Sequence, residues 1–214
     1  ALPIVLDSPD KVFPVLREAM RPDHDKEVRK NAILSVALIA DRINRRKKVL
    51  NDAAIMDDLI ENSGDDEPLI RQVCAYTLGI IGSDQAKDRL IVMLDDADRN
   101  ARLNAAVGLA RNKSTAGISV FQSVLVEIAT PFDPTSITAG NETERTVQIN
   151  DTQFQNSIRL RTALQAIETL SDQLTAQQRT ELVRSLEKVT EYDHLQRQFR
   201  SRASTVMQTL KNSK

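Results

Sequence analysis

Few side chains in this sequence have the type and spacing for chemistry. There are two histidines, His24 and His194, far apart along the chain. His24 lies in "PDHD" between Asp23 and Asp25, a trio that would hold a metal weakly. A turn leading into a helix cap explains the same residues better. Cys74 is the only cysteine, which excludes an internal disulfide and a cysteine metal site. It falls at a core position of a helix, where a thiol is buried and inert. The chain has no glycine-rich phosphate loop and no nucleophile elbow. What recurs instead is an acid followed four residues later by an arginine: Asp25 and Arg29, Glu67 and Arg71, Asp98 and Arg102. A row of guanidinium groups would bind anions. Alternatively, acid and arginine form a structural ladder joining successive units, and the helix-start position of each acid favours this reading. A basic run, Arg42, Arg45, Arg46, Lys47 and Lys48, stands at a helix C-terminus. There it is either a solvated corner favoured by the helix dipole or a contact for an acidic partner or nucleic acid.

The elements that position these residues follow from an internal repeat. Three, four, seven and eight residues beyond Arg71 stand Cys74, Ala75, Leu78 and Gly79. The same offsets give Ala105, Ala106, Leu109 and Ala110 from Arg102, and Ala32, Ile33, Val36 and Ala37 from Arg29. From Arg159 they give Thr162, Ala163, Ala166 and Ile167; from Arg200 they give Ala203, Ser204, Met207 and Gln208, a weaker match. Such offsets mark one face of an α-helix, and the small residues in it admit a close neighbour. Partner helices lie between. One is capped by Ser8 and carries Pro14, which should kink it or delay its start. Others run from about Arg46 to Glu61, from Ser83 after Gly82, from near Ser114, and from Thr175 with Gln178 completing a capping box. The result is about five antiparallel helix pairs that must stack to bury their apolar faces.

The stretch "EPLIRQVCAYTLGIIGSDQAKDRLIVML" and the copy that follows it resemble HEAT repeats, in particular the short bacterial type found in phycobilin lyases. The pattern is an acidic residue, a short gap, and an arginine opening a small-residue helix. It is close over residues 23–126 and weaker over 157–212, where Gln155 and Gln196 replace the acid. The resemblance implies an all-α fold, a right-handed α-α superhelix, with the second helix of each pair lining a concave surface. It implies no activity. Iron-dependent hydroxylases of similar fold use His-Glu motifs, and this chain has no His-Glu dipeptide. No bilin-lyase residue set can be matched to it. DNA glycosylases of this general fold rely on aromatic and basic residues lining a groove, and this chain departs from that.

Composition agrees. Aromatic residues are only 3% and Trp is absent, so Ala and Leu do most of the packing, which suits close helices and argues against a sandwich or barrel. A net charge of −1 makes nucleic acid an unlikely partner through overall charge. No apolar run approaches the roughly 20 residues of a membrane span. "ALPIVL" is too short for a signal peptide, and the chain begins without Met, as a processed protein or an excised piece of a longer one would. Residues 1–214 read as a single repeat domain interrupted at about 130–156 by a non-helical insertion. Within it, "RTVQI" and "SIT" are candidates for short strands. The insertion is either a binding or self-association element or a tolerated, solvated loop.

The positions two, five and nine beyond each arginine face away from the core stripe. They read Asn31, Leu34, Leu38; Val73, Tyr76, Ile80; Asn104, Val107, Arg111; Arg161, Leu164, Glu168; and Arg202, Thr205, Thr209. The row thus passes from apolar to polar. Leu34, Leu38, Val73, Tyr76, Ile80 and Val107 form a candidate partner-binding strip on the concave side. The expected function is a non-enzymatic scaffold for a protein or peptide partner, needing no cofactor and no metal. The alternatives are an auxiliary or lyase-like enzyme gripping a cofactor or modified substrate, and a nucleic-acid or acidic-partner binder through residues 42–48.

Overall fold

The computed structural model of the chain describes residues 9–131, 133 and 140–213. The expected cap Ser8 and the "SIT" segment lie outside the described residues. Within them the chain is entirely helical, with ten helices and no strand. These are α1 (Pro9–Ala19), α2 (Lys26–Arg45), α3 (Ala53–Asn62), α4 (Pro68–Ile81), α5 (Asp84–Met93), α6 (Arg99–Arg111), α7 (Ile118–Ala129), α8 (Glu142–Thr169), α9 (Ala176–Glu191) and α10 (Arg197–Asn212). Two compact units divide at Gly117 and Ile118.

Helix starts are set by side-chain caps that satisfy the first orphan N–H groups. Asp25 accepts from the Glu27 N–H at 2.8 Å, Asp52 from Ile55 at 3.0 Å, Ser83 from Ala86 at 3.2 Å, and Asp98 from both Asn100 and Ala101. Thr175 and Gln178 form the capping box read in the sequence. Helix ends are less legible. Gly82 closes α4 in the left-handed region, as expected. At the corresponding ends of α2 and α6, however, Lys47 and Lys113 take positive φ (57° and 62°). Lys47 therefore stops α2, and the next helix starts at Ala53 after the Asp52 cap, not near Arg46. Likewise α7 starts at Ile118, past the expected Ser114.

The first unit is built of three helix pairs, α1/α2, α3/α4 and α5/α6, in two layers. Helices α2, α4 and α6 lie side by side, and α1 and α5 each pack beside α3. The core is the stripe read from the repeat: Ile33, Val36, Cys74, Ala75, Leu78, Ala105 and Leu109 are fully buried. The closest approach is between α4 and α6. A Cβ added at Gly79 would lie 2.5 Å from the Gly108 Cα, so only hydrogen fits at either position. The ends of the same helices are cross-linked. Asn44 of α2 donates to the Ile80 carbonyl at 2.5 Å, and Asn112, the C-cap of α6, donates to the Gly79 carbonyl at 3.0 Å. These two amides satisfy carbonyls that the last turn of α4 leaves open. Gly82 must also be glycine for space, since a Cβ there would strike the Asn112 Oδ1 at 2.2 Å.

The second unit consists of α7 packed on α8 and α9 packed on α10, with α7 beside α9 and α8 beside α10. Two sequence expectations need correction here. The stretch 130–156 is not non-helical throughout: α8 begins at Glu142 and includes "RTVQI". Asn141 accepts from the Glu144 N–H at 2.9 Å, and Glu144 accepts from the Gly140 N–H at 3.1 Å. Glu142 and Glu144 also sit where the helix dipole favours negative charge. This local capping outweighs the many Thr and Asn residues that argue against a helix. Second, the buried stripe of α8 is wider than the repeat offsets predict: Ala163, Ala166 and Ile167 are buried as expected, and Leu160 and Leu164 join them. Leu164 thus faces the core and not outward, while Gln208 is exposed.

Gly79→Ala is expected to lower stability to urea by about 2 kcal/mol, because backbone must move to admit the methyl group. The gain of about 1 kcal/mol in helix propensity does not offset this. Gly64→Ala is the control. Its Cβ would meet nothing nearer than 3.5 Å, so a change within about 0.5 kcal/mol is expected.

Candidate functional site

The acid–arginine motif resolves into two jobs done by two different acids. Asp25, Glu67 and Asp98 are N-caps of α2, α4 and α6. The partners of the arginines stand two residues earlier, at Asp65 and Asp96. Arg71 donates two parallel hydrogen bonds to Asp96, both 2.9 Å, and a third nitrogen donates to the carbonyls of Asp65 and Asp66. Arg29 is buried; it donates to the Asp65 carboxylate, to Asn62 Oδ1 at 2.8 Å and to the Met20 carbonyl at 3.3 Å. Each acceptor carboxylate is held in turn by a backbone N–H two residues on, Glu67 at 2.9 Å and Asp98 at 2.7 Å. Arg102 donates only to the carbonyls of Asp96, at 2.5 Å, and Ala97, at 3.0 Å. The ladder therefore runs from Arg29 and from Arg71 to the loop of the next pair, through Asp65 and Asp96, acids that the sequence reading did not name, while Arg102 braces the loop of its own pair. The available signal was an aspartate six residues before each arginine, at Asp23, Asp65 and Asp96. In the second unit Arg159 makes a bidentate pair with Glu127 at 2.7 and 2.8 Å, and Arg200 pairs with Asp193 at 2.8 Å. With their guanidiniums engaged, Arg29 and Arg71 do not form an anion-binding row.

Burial pushes the pKa of Asp65 up, but hydrogen bonds from Arg29 and the Glu67 N–H, with the charges of Arg29 and Arg71, outweigh it and leave the carboxyl below its ordinary value of 3.8. Asp96 behaves alike: burial raises it, while Arg71, the Asp98 N–H and Arg102 bring it below 3.8.

The outward row of the first unit forms a groove of about 680 Å³ between α2, α4 and the end of α6. It is lined by Leu34, Leu38, Tyr76 and Ile80, with Ala37 in its floor and Asp41, Asn44, Arg45 and Arg111 around it. Leu38 is 67% exposed and Tyr76 43% exposed, high values for apolar side chains that face one another across two helices. The Arg111 guanidinium stands 5.8 Å from the centre of the Tyr76 ring, within cation–π range. Arg45 pairs with Asp41 at 2.9 Å. Four of the six strip residues named from the sequence thus meet in one groove. Val73 is half-buried and packs on the core, as Ile80 also does in part. Val107 is half-buried and does not line the groove.

The basic run divides. Arg45 belongs to the groove. Arg42 lies in the last turn of α2, Arg46 is its C-cap, Lys47 supplies the left-handed turn and Lys48 is exposed. A second depression of about 450 Å³ is lined among others by Arg17, Arg29, Asp58 and Asp65, whose charges pair with one another: Arg17 with Asp58 and Arg29 with Asp65. His24 Nε2 stands 3.9 Å from Glu18, and His194 packs against the Tyr192 ring. Cys74 is fully buried, and burial pushes its thiol upward, so it stays protonated. Among the described residues, no group of three or more His, Cys, Asp or Glu side chains converges on a point that would hold a metal ion. No described helix is long and apolar enough to cross a membrane. No known protein-family model matches the chain, and no curated protein matches it in sequence.

Arg71→Met is expected to cost about 3 kcal/mol at neutral pH, because it strands Asp96 without its partner. The ladder also has an acid limit with a definite sign. Groups whose folded pKa lies below the unfolded value stabilise above that value and lose the contribution as pH falls through the folded one. Urea unfolding should therefore show stability falling below pH 3.8, with a smaller fall in Arg71→Met, where the shift of Asp96 is reduced.

Proposed function

We propose that the protein is a non-enzymatic scaffold of the HEAT-like, right-handed superhelical kind, and that the α2/α4 groove takes the apolar anchor of a protein or peptide partner. The observation that carries this reading is the exposure of Leu38 and Tyr76 together in a single groove of about 680 Å³. Isolated exposed apolar side chains are ordinary on protein surfaces, whereas convergent ones with fixed walls mark binding sites. The walls here are helices whose opposite faces are fully buried, so the groove is preformed and little ordering opposes binding.

The polar groups define the partner further. Arg45 and Arg111 border the groove and Asp41 offsets one of them. An aliphatic or aromatic side chain would enter between Leu38 and Tyr76, and a neighbouring carboxylate would meet Arg111 or Arg45. Asn44 already donates to the Ile80 carbonyl, so it helps hold the wall and is poorly placed to read the partner. This unites the apolar strip with part of the basic run, which the sequence presents as separate features. It also gives the rim a role in orientation and on-rate, with the anchor supplying most of the affinity.

Selection from a library of short random peptides tests the reading. Binders are expected to share an apolar anchor beside an acidic residue. Leu38→Asp and Tyr76→Ala should each weaken them at least tenfold without changing the helical circular dichroism, since neither side chain belongs to the buried core. Arg111→Glu should weaken chiefly the acidic binders and reduce their salt dependence. Absence of any enriched peptide, or binders indifferent to both Leu38→Asp and Tyr76→Ala, would overturn it.

A further inference from the structure

Helix α8 carries a second exposed stripe, unrelated to the groove. Val147, Asp151, Phe154, Ile158, Arg161 and Gln165 follow one another at steps of four, three, four, three and four residues. These steps keep all six on one face of the helix. All six are exposed; Phe154 is 62% and Val147 61% accessible, although the other side of the same helix, at Leu160, Ala163, Leu164 and Ile167, is buried. Asp151 and Arg161 make no hydrogen bond or ion pair within the described residues. An exposed helix face with two apolar residues at its centre and one unpaired charge of each sign beyond them is a specific pattern. It is self-complementary under reversal.

We infer that this stripe is a homodimer contact, in which α8 of one copy packs antiparallel on α8 of a second. With the two-fold axis level with residue 156, Phe154 of each copy meets Ile158 of the other. Asp151 of each then meets Arg161 of the other. At about 1.5 Å rise per residue, Asp151 and Arg161 stand about 15 Å apart along the helix. The two ion pairs therefore flank the apolar centre symmetrically, each about 7.5 Å from the axis, within reach of an arginine side chain even where the helices cross obliquely. A two-fold interface requires this kind of patch, in which residue i meets j and j meets i. A parallel arrangement would set Asp151 against Asp151 and Arg161 against Arg161, which is repulsive. The contact involves a few turns of helix per copy and lies at the small end of interface sizes, so the dimer is weak and forms at high protein concentration.

The full chain should sediment as a monomer at low micromolar concentration and shift towards dimer at hundreds of micromolar. Asp151→Arg alone and Arg161→Asp alone each place like charges together twice, and each should weaken dimerisation at least tenfold. An equimolar mixture of the two single variants should restore it, because both cross-pairs are then opposite in sign. The double variant Asp151→Arg with Arg161→Asp should restore it as well. Both positions are exposed, and unchanged circular dichroism verifies folding. A wild-type chain that stays monomeric at the highest concentration would overturn the inference. So would a dimer indifferent to either single reversal, or a mixture that fails to recover association.

Discussion

Arg29 and Arg71 carry positive charge into or near the interior of the first unit, where an unpaired charge would be too costly to hold. Each is matched to the aspartate of the loop that opens the next inner helix, and each aspartate is fixed by a backbone N–H of that loop. The pairing leaves little freedom. A helix pair displaced by a full turn along its neighbour would carry the carboxylate about 5.4 Å from the guanidinium that it now pairs with. Hydrophobic burial stabilises the stack without specifying its register, because a stripe of Ala, Leu and Ile packs nearly as well when shifted. The charged ladder supplies the missing specificity, and the rest of the first unit follows from it.

Once the register is set, the inner helices approach closely. Gly79 and Gly108 meet at backbone contact, and Asn44 and Asn112 close the ends of the carbonyl rows. The helices are thus tied at the loop end by ion pairs and at the far end by the glycine contact and the amides together. The groove opens near the amide-tied end, between α2 and α4. Its walls are held by these contacts, and a preformed wall is the condition for an exposed apolar site to bind selectively. Tyr76 and Ile80 flank Thr77 and Leu78, whose burial on the other face of α4 fixes the direction of both.

The helical periodicity and most N-caps were legible because they are local. The offsets from Arg71 and Arg102 name the buried stripe almost residue for residue, and "TAQQ" and "GSD" mark helix starts by known chemistry. What escaped was of three kinds. Lys47 and Lys113 adopt a left-handed turn that the sequence would normally assign to glycine, so the start of α3 was misplaced. The acids of the ladder escaped because several acids precede each arginine and only one caps the helix; the choice between Asp65 and Glu67 is made by the neighbouring pair. Leu164 escaped because the buried stripe of α8 is wider than the repeat offsets predict. Its buried face is chosen by α7 and α10, and the composition of the helix itself does not reveal it. The groove was legible as a row of residues. Its limits at Val73 and Val107 were not, since half-burial depends on neighbours.

Exposure alone does not single out the sites argued for. Val15, Val49, Ile91, Val92 and Val126 are as exposed as Tyr76 or more so, yet they line neither groove and form no long stripe. The difference lies in what surrounds each apolar group. Leu38 and Tyr76 have converging walls and a guanidinium beside the ring. Phe154 and Ile158 have an unpaired charge on either side, opposite in sign and equidistant from their midpoint. A hydrophobic side chain on its own reports only that the surface area was tolerable. A hydrophobic side chain with a fixed polar frame restricts what can cover it, since any partner must satisfy the frame and the apolar area together. That restriction separates a binding surface from an indifferent one, and in the two surfaces proposed for this chain it rests on Arg111, Arg45, Asp151 and Arg161 more than on any leucine.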